Sequence, residues 1–308
     1  MAGGFVHITA VAFALERLGQ VAGLTPQDKR GVSQFQPLFE IGAVGPDYPY
    51  LGQQSEWADR MHYQRTGEVI RNGVRVLRGY AHDTTRTRCL AWLMGYAAHV
   101  ATDLTIHPIV ERRVGPYAQN KTQHRTCEMH QDAHIWPRRN LGEIGLADAF
   151  RLTINACSDD DGNLVDDVAS FWRRMLEATY PEDAANDTPH FDHWNKGFKI
   201  IVDAIDDAGS LFCFTRHLLA GEGLVYPAAD DIDRSFIDNL DTPEGPTSYE
   251  AVFDRAVTSI VQVWSTVGEA LTVPSDDEAE QRLTSLPDGD LDTGRTLVGG
   301  DMIFWREA

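Results

Sequence analysis

Apolar side chains recur at intervals of three and four residues along most of the chain, the spacing of one buried face of an α-helix. The pattern predicts a first helix over Phe5 to Leu18, with His7 in its first turn. Thr25 to Gly31 is turn-rich, and Val32 to Glu40 is a further short helical segment. GAVGPDYPYL sets two glycines and two prolines around Asp47, which predicts a loop of fixed backbone that can aim one carboxylate inward. Glu56 to Tyr80 has the spacing of a single helix and carries Asp59 and His62. Another helix runs from Thr84 to His107, where Pro108 is expected to end it. Beyond a loop through Gly115 and Pro116 lies a helix bearing His124 and Glu128. Leu164 to Tyr180, Phe191 to Ala220 and Tyr249 to Leu271 also read as helices, and no run alternates as a strand would. The fold class is therefore all-α, a multi-helix bundle over residues 1–275. An irregular acidic strap over 276–308 follows, whose apolar Met302 to Trp305 is expected to pack back on the body.

The helix ahead of Pro108 is unusual for its chemistry. His99, Asp103 and His107 are four residues apart in an otherwise apolar stretch, so they stack on one core-like face. His124 and Glu128 repeat the spacing on the next helix, and Asp132 continues that row. One buried histidine is ordinarily a hydrogen-bonded core residue. Five such groups would cost on the order of 1–3 kcal/mol each unless something compensates, and a cation does so most directly. Mixed imidazole and carboxylate donors suit zinc and similar divalent ions.

Composition narrows the alternatives. Of 308 residues, 43% are hydrophobic and 24% charged, as in globular proteins, and the length serves one large or two ordinary domains. A formal net charge of −19 repels nucleic-acid phosphates, so stable nucleic-acid binding is not expected. Cys89, Cys127, Cys157 and Cys213 match neither a zinc finger nor a redox pair, so reduced structural thiols are expected. The apolar Phe5 to Leu15 lacks a basic lead and runs into Glu16 and Arg17, unlike a signal peptide. No run reaches the ~18 apolar residues of a membrane span. The localisation expected on these grounds is cytoplasmic, or export by a non-standard route.

Other candidate signals fail. In SDDDGNLVDD, aligning Gly162 with the invariant glycine of a calcium loop puts Cys157 and Val168 at ligand positions, so a solvated acidic loop is expected. Asp288 to Asp290 reads as a turn. His190, His193 and His217 have no ligand spacing, and no P-loop, GxGxxG, GxSxG or HExxH occurs.

In order along the chain come a first-helix His7, GAxGPD with Asp47, ADxxHY with His62, GYxxHxxxDxxxHP with His99, Asp103 and His107, and HxxxExxxD with His124, Glu128 and Asp132. This series resembles the zinc-dependent phospholipase C family, including the N-terminal domain type of glycosylphosphatidylinositol-specific phospholipase D. The likeness spans roughly the first 135 residues. It implies three zinc ions in a cleft of a helical bundle that hydrolyses phosphodiesters, with a phospholipid or related diester as substrate and transient contact with a membrane surface. Carried over by position, one zinc falls to Asp47, His62, His99 and Asp103, and a second to His107, His124 and Glu128. The third shares Asp103 and takes His7 with the extreme N-terminus, where removal of Met1 ahead of Ala2 would expose the amine. Asp47 would double as general base. The three-residue gap between Asp103 and His107, longer in secreted bacterial phospholipases and single-strand zinc nucleases, favours the glycosylphosphatidylinositol-phospholipase branch, and the nucleases have Asp at the place of Glu128. Other readings of the same residues are a nuclease or phosphomonoesterase, and a non-catalytic metal-binding helical protein. Tyr48, Tyr50, Trp57 and Tyr63 are candidates for an apolar rim or, equally, for core packing.

Overall fold

The computed structural model describes residues 3–142, 144, 148–200 and 226–307, which are overwhelmingly helical. A long helix, α7 (Thr84–Val114), runs through the middle. Asp83 caps its start by accepting from the Arg86 amide, and every residue from Cys89 to Val110 is buried. A helix apolar on all sides has to be surrounded. Here α1 (Gly4–Glu16), α2 (Pro26–Val32), α3 (Gln36–Gly42), α6 (Thr66–Arg78), α8 (Lys121–Ile135), α10 (Asp166–Thr179) and α12 (Tyr249–Thr272) pack around it.

Four local expectations are corrected. Thr25 to Gly31 is not a turn but the cap and nearly all of α2: Thr25 and Asp28 form a reciprocal capping box and Pro26 occupies the first turn, a start signature present in the sequence. The stretch around Asp47 is a 3-10 turn, Gly45–Asp47, that runs into a short helix, α4 (Tyr48–Leu51). Glu56 to Tyr80 is two helices, α5 (Ser55–Tyr63) and α6, separated by a left-handed Arg65 at φ 49°. Tyr180 donates its hydroxyl to the Gln64 and Arg60 carbonyls, and Arg65 donates to Thr179 O, so tertiary partners hold a break that the periodicity hides. Finally, α7 continues through Pro108 to Val114. A helical proline costs about 3 kcal/mol, and the buried surroundings of α7 offset it.

Further on, α9 (Asp148–Ala156) and α11 (Pro181–Asn186) flank α10. The helix expected from Phe191 is present over 191–200, while its remainder, with Cys213 and His217, lies outside the described residues. Cys89, Cys127 and Cys157 are buried free thiols. Asp159 accepts from the Asp161 and Asn163 amides, an exposed turn that satisfies itself. His190 and His193 are exposed, and beside them Trp194 is fully buried. Among the described residues no helix is long and apolar enough to cross a membrane.

The segment after residue 275 opens with a helix, α13 (Asp276–Leu283), and then forms the sole sheet among the described residues. That sheet is the two-residue antiparallel pair Gly289–Asp290 with Arg295–Thr296. The segment is tied down throughout. Arg71 pairs with Asp288, Thr66 exchanges hydrogen bonds with Gly289, and Leu291 donates its amide to His62 O. Trp305 is buried and donates Nε1 to Thr105 O at 2.8 Å.

Candidate metal centre

Five elements deliver the polar groups of the first 135 residues to one place. His7 comes from α1, Asp47 from the 3-10 turn, His62 from the last turn of α5, three groups from α7 and two from α8. All eight are buried, and the most exposed of them, Asp47, shows only 5% of its surface. Asp103 is the hub. Its Oδ2 lies 3.0 Å from His99 Nε2 and 3.9 Å from His62 Nε2, and its Oδ1 lies 3.2 Å from both His7 Nε2 and His107 Nε2. His62 Nε2 is also 3.3 Å from Asp47 Oδ1. On the far side Glu128 Oε1 is 3.2 Å from His107 Nε2 and 2.9 Å from His124 Nε2. The i, i+4 rows of α7 and α8 thus face each other.

Each of the five imidazoles turns Nε2 inward. For two of them a backbone carbonyl fixes that orientation at the other nitrogen: His62 Nδ1 faces Ala58 O at 2.7 Å, and His99 Nδ1 faces Ala43 O at 2.9 Å. A ring that donates Nδ1–H has its lone pair at Nε2. Yet His62 Nε2 and His99 Nε2 are 3.3 Å apart, two lone pairs directed at one point. Both oxygens of Asp103 and of Glu128, Oδ1 of Asp47, and both ring nitrogens of His7, His107 and His124 are buried without an aligned hydrogen bond among the described residues. Buried polar groups are ordinarily satisfied. So many orphans around one point fit a set of cations. Three groups have donor atoms within 4.8 Å of one another: His7, Asp47 and His99; His62, His99 and Asp103; and His107, His124 and Glu128.

The electrostatics of the protein agree with that donor set. Burial pushes the Asp103 carboxyl up, but His107, His99 and His7 outweigh it and hold it well below the usual carboxylate range. Burial lowers His107, and Asp103, with Asp292 and Glu128, more than reverses this and raises it well above the ordinary imidazole value. His99 moves up for the same reason, whereas burial and the neighbouring His99 lower His7. The site thus sets carboxylates held ionised against His99 and His107, whose protonated forms they favour.

Three features were not legible in the sequence. Asp132 does not join the row beside Glu128. It accepts from the Val6 amide at 2.7 Å and so holds the start of α1, and a Cβ on Gly3 would strike its carboxylate at 1.9 Å. Met1 and Ala2 lie outside the described residues. Tyr48 and Trp57 belong to the core rather than a rim: Tyr48 stacks on Phe198 and Trp57 donates to Asp187 O. Half-buried Tyr50 and Tyr63 flank His62, and half-buried Tyr117 lies against His124, so the cluster approaches solvent here. Lastly, Asp292 reaches the site from the C-terminal segment, with Oδ1 3.5 Å from His107 Nδ1. Its surroundings, DGDLDTGR, read as a turn, and nothing local in them points to a partner 185 residues earlier.

The described residues form a helical body around a buried cluster of imidazoles and carboxylates that could hold metal ions, the layout of a helical metal-binding protein. The sequence profile of the zinc dependent phospholipase C family matches residues 6–208, and the chain belongs to that family. No curated protein and no solved structure gives a match.

Proposed function

We propose that the protein is a phospholipase C-type phosphodiesterase with a trinuclear zinc centre. The observation that carries the reading is the convergence of five Nε2 atoms on three buried carboxylates, five of whose six oxygens are buried without aligned partners among the described residues. His62, His99, Asp47 and Asp103 would hold one ion, and His107, His124 and Glu128 a second. Asp103, through its second oxygen, and His7 would hold a third. Zinc bound there supplies Lewis acidity toward a phosphoryl oxygen and toward a water molecule. Asp47 orients that water and takes its proton, a role its position at the least buried edge of the cluster allows. Tyr50, Tyr63 and Tyr117 line the approach. Helical domain 1–275 carries the chemistry in this reading, and the segment from 276 closes one side of it.

The acidic balance of the chain favours a lipid or small diester over a polynucleotide, because a net charge of −19 opposes the approach of a polyanion. The experiment is hydrolysis by the zinc-loaded protein of phosphatidylcholine vesicles, single-stranded DNA and p-nitrophenyl phosphate, with and without chelator. Turnover of the lipid with release of the phosphorylated headgroup, abolished by chelator, is expected. Preference for DNA or for the monoester replaces the reading by a nuclease or a phosphomonoesterase, and turnover of none leaves a metal-binding protein.

A further inference from the structure

We infer that Asp292, which lies beyond the residues matched by the family profile, is a positioning residue for the metal centre: its carboxylate sets the ring of His107 so that Nε2 points at Asp103 and Glu128. The inference rests on the proposed metal site. It starts from an asymmetry among the histidines. His62 and His99 are oriented by backbone carbonyls at Nδ1. Among the described residues no carbonyl does this for His107, whose Nδ1 faces Asp292 Oδ1 at 3.5 Å instead. A carboxylate behind a ligating imidazole fixes the tautomer and strengthens the donor at the opposite nitrogen.

Asp292 is itself held. Tyr63 donates its hydroxyl to Oδ2 at 2.9 Å, and the Asp292 amide donates to Asp290 Oδ1 at 3.0 Å. Its neighbour Leu291 is fully buried and donates its amide to His62 O at 3.1 Å. Two residues on, Gly294 adopts φ 68°, and a Cβ there would lie 2.4 Å from Pro108 Cγ and 2.7 Å from Leu104 O. Pro108 has no N–H to give the Leu104 carbonyl, so the strap is seated where α7 is irregular. One loop therefore hydrogen-bonds the helix turn of His62 and sets a carboxylate beside the ring of His107, and these two histidines belong to different donor groups. A segment serving only to cover the core would need Leu291 but no carboxylate aimed at an imidazole.

The test uses the full chain and its Asp292→Ala, Asp292→Asn and Tyr63→Phe variants. Zinc affinities are read by competition with a chromophoric chelator, and the cobalt-substituted proteins by their visible absorption. Asp292→Ala should keep its helical circular dichroism, weaken one ion per chain by about 10–100-fold and shift the cobalt bands of that ion. Asp292→Asn retains an acceptor oxygen and should lose less, and Tyr63→Phe should move in the same direction by a smaller factor. Unchanged zinc affinities and cobalt spectra in the Ala and Asn variants, with or without a fall in melting temperature, overturn the inference and leave the metal-site reading standing. A wild-type chain that binds no zinc overturns both.

Discussion

Gly42 on α3 and Gly95 on α7 meet with no space for a side chain: a Cβ on Gly42 would lie 2.3 Å from Trp92 O, and one on Gly95 would lie 2.2 Å from Phe39 O. The close crossing has a consequence one turn along α7, where Ala43 O reaches His99 Nδ1. Gly95→Ala should destabilise the protein by about 1–3 kcal/mol through overpacking. It should also weaken metal binding, because the carbonyl that orients His99 moves with α3. Chemical denaturation and zinc titration of the same variant check both; a variant with reduced stability and intact zinc affinity would separate the crossing from the site.

Asp103 is shared by both sides of the cluster, so Asp103→Asn should cost more than one ion. The expected zinc content by elemental analysis falls from about three per chain to about one, held by His107, His124 and Glu128. Hydrolysis should drop by a factor on the order of 10³, with helical content retained. Full stoichiometry in this variant would remove Asp103 from the centre.

The zinc-free protein should have a pH dependence set by the same groups. His99 and His107 have folded pKa values above 6.5. Their contribution to stability is complete below 6.5 and is lost as pH rises through the folded values. Asp103 has a folded pKa well below 3.8, so its contribution is present above 3.8 and is lost as pH falls toward the folded value. The zinc-free chain should therefore be most stable in mildly acidic solution. Zinc competes with the protons on the imidazoles, so its stabilisation should grow from pH 6 to pH 8. At about 100 times its dissociation constant, each ion adds roughly 2.7 kcal/mol. Melting curves with and without chelator at each pH provide the check, and a zinc-induced increment that shrinks with rising pH would contradict this assignment.

Gly294→Ala tests how the C-terminal segment is seated. Its positive φ and its contacts with Pro108 and Leu104 O leave no room for a methyl group. A loss of about 1–3 kcal/mol is expected from the backbone conformation and the contact together. Gly300 also has a positive φ, 73°, but nothing lies within 4 Å of a Cβ there, so Gly300→Ala should cost less and leave metal binding alone.

Much of this molecule was legible in its sequence because the information was local. Helices with a 3.6-residue period and the i, i+4 rows of α7 and α8 depend on spacings within single elements. Even the capping box of α2 stands in the sequence, in residues that are also turn formers. What only the tertiary structure decided depends on groups distant along the chain. The break between α5 and α6 is held by Tyr180, α7 runs on through Pro108 against the segment of Gly294, and the role of Asp132 is set by the start of α1. Asp292 is the plainest case: a carboxylate in a turn acquires a partner only when the folded segment lays it against His107. Periodicity records which face of a helix is buried, and it carries no record of what that face meets.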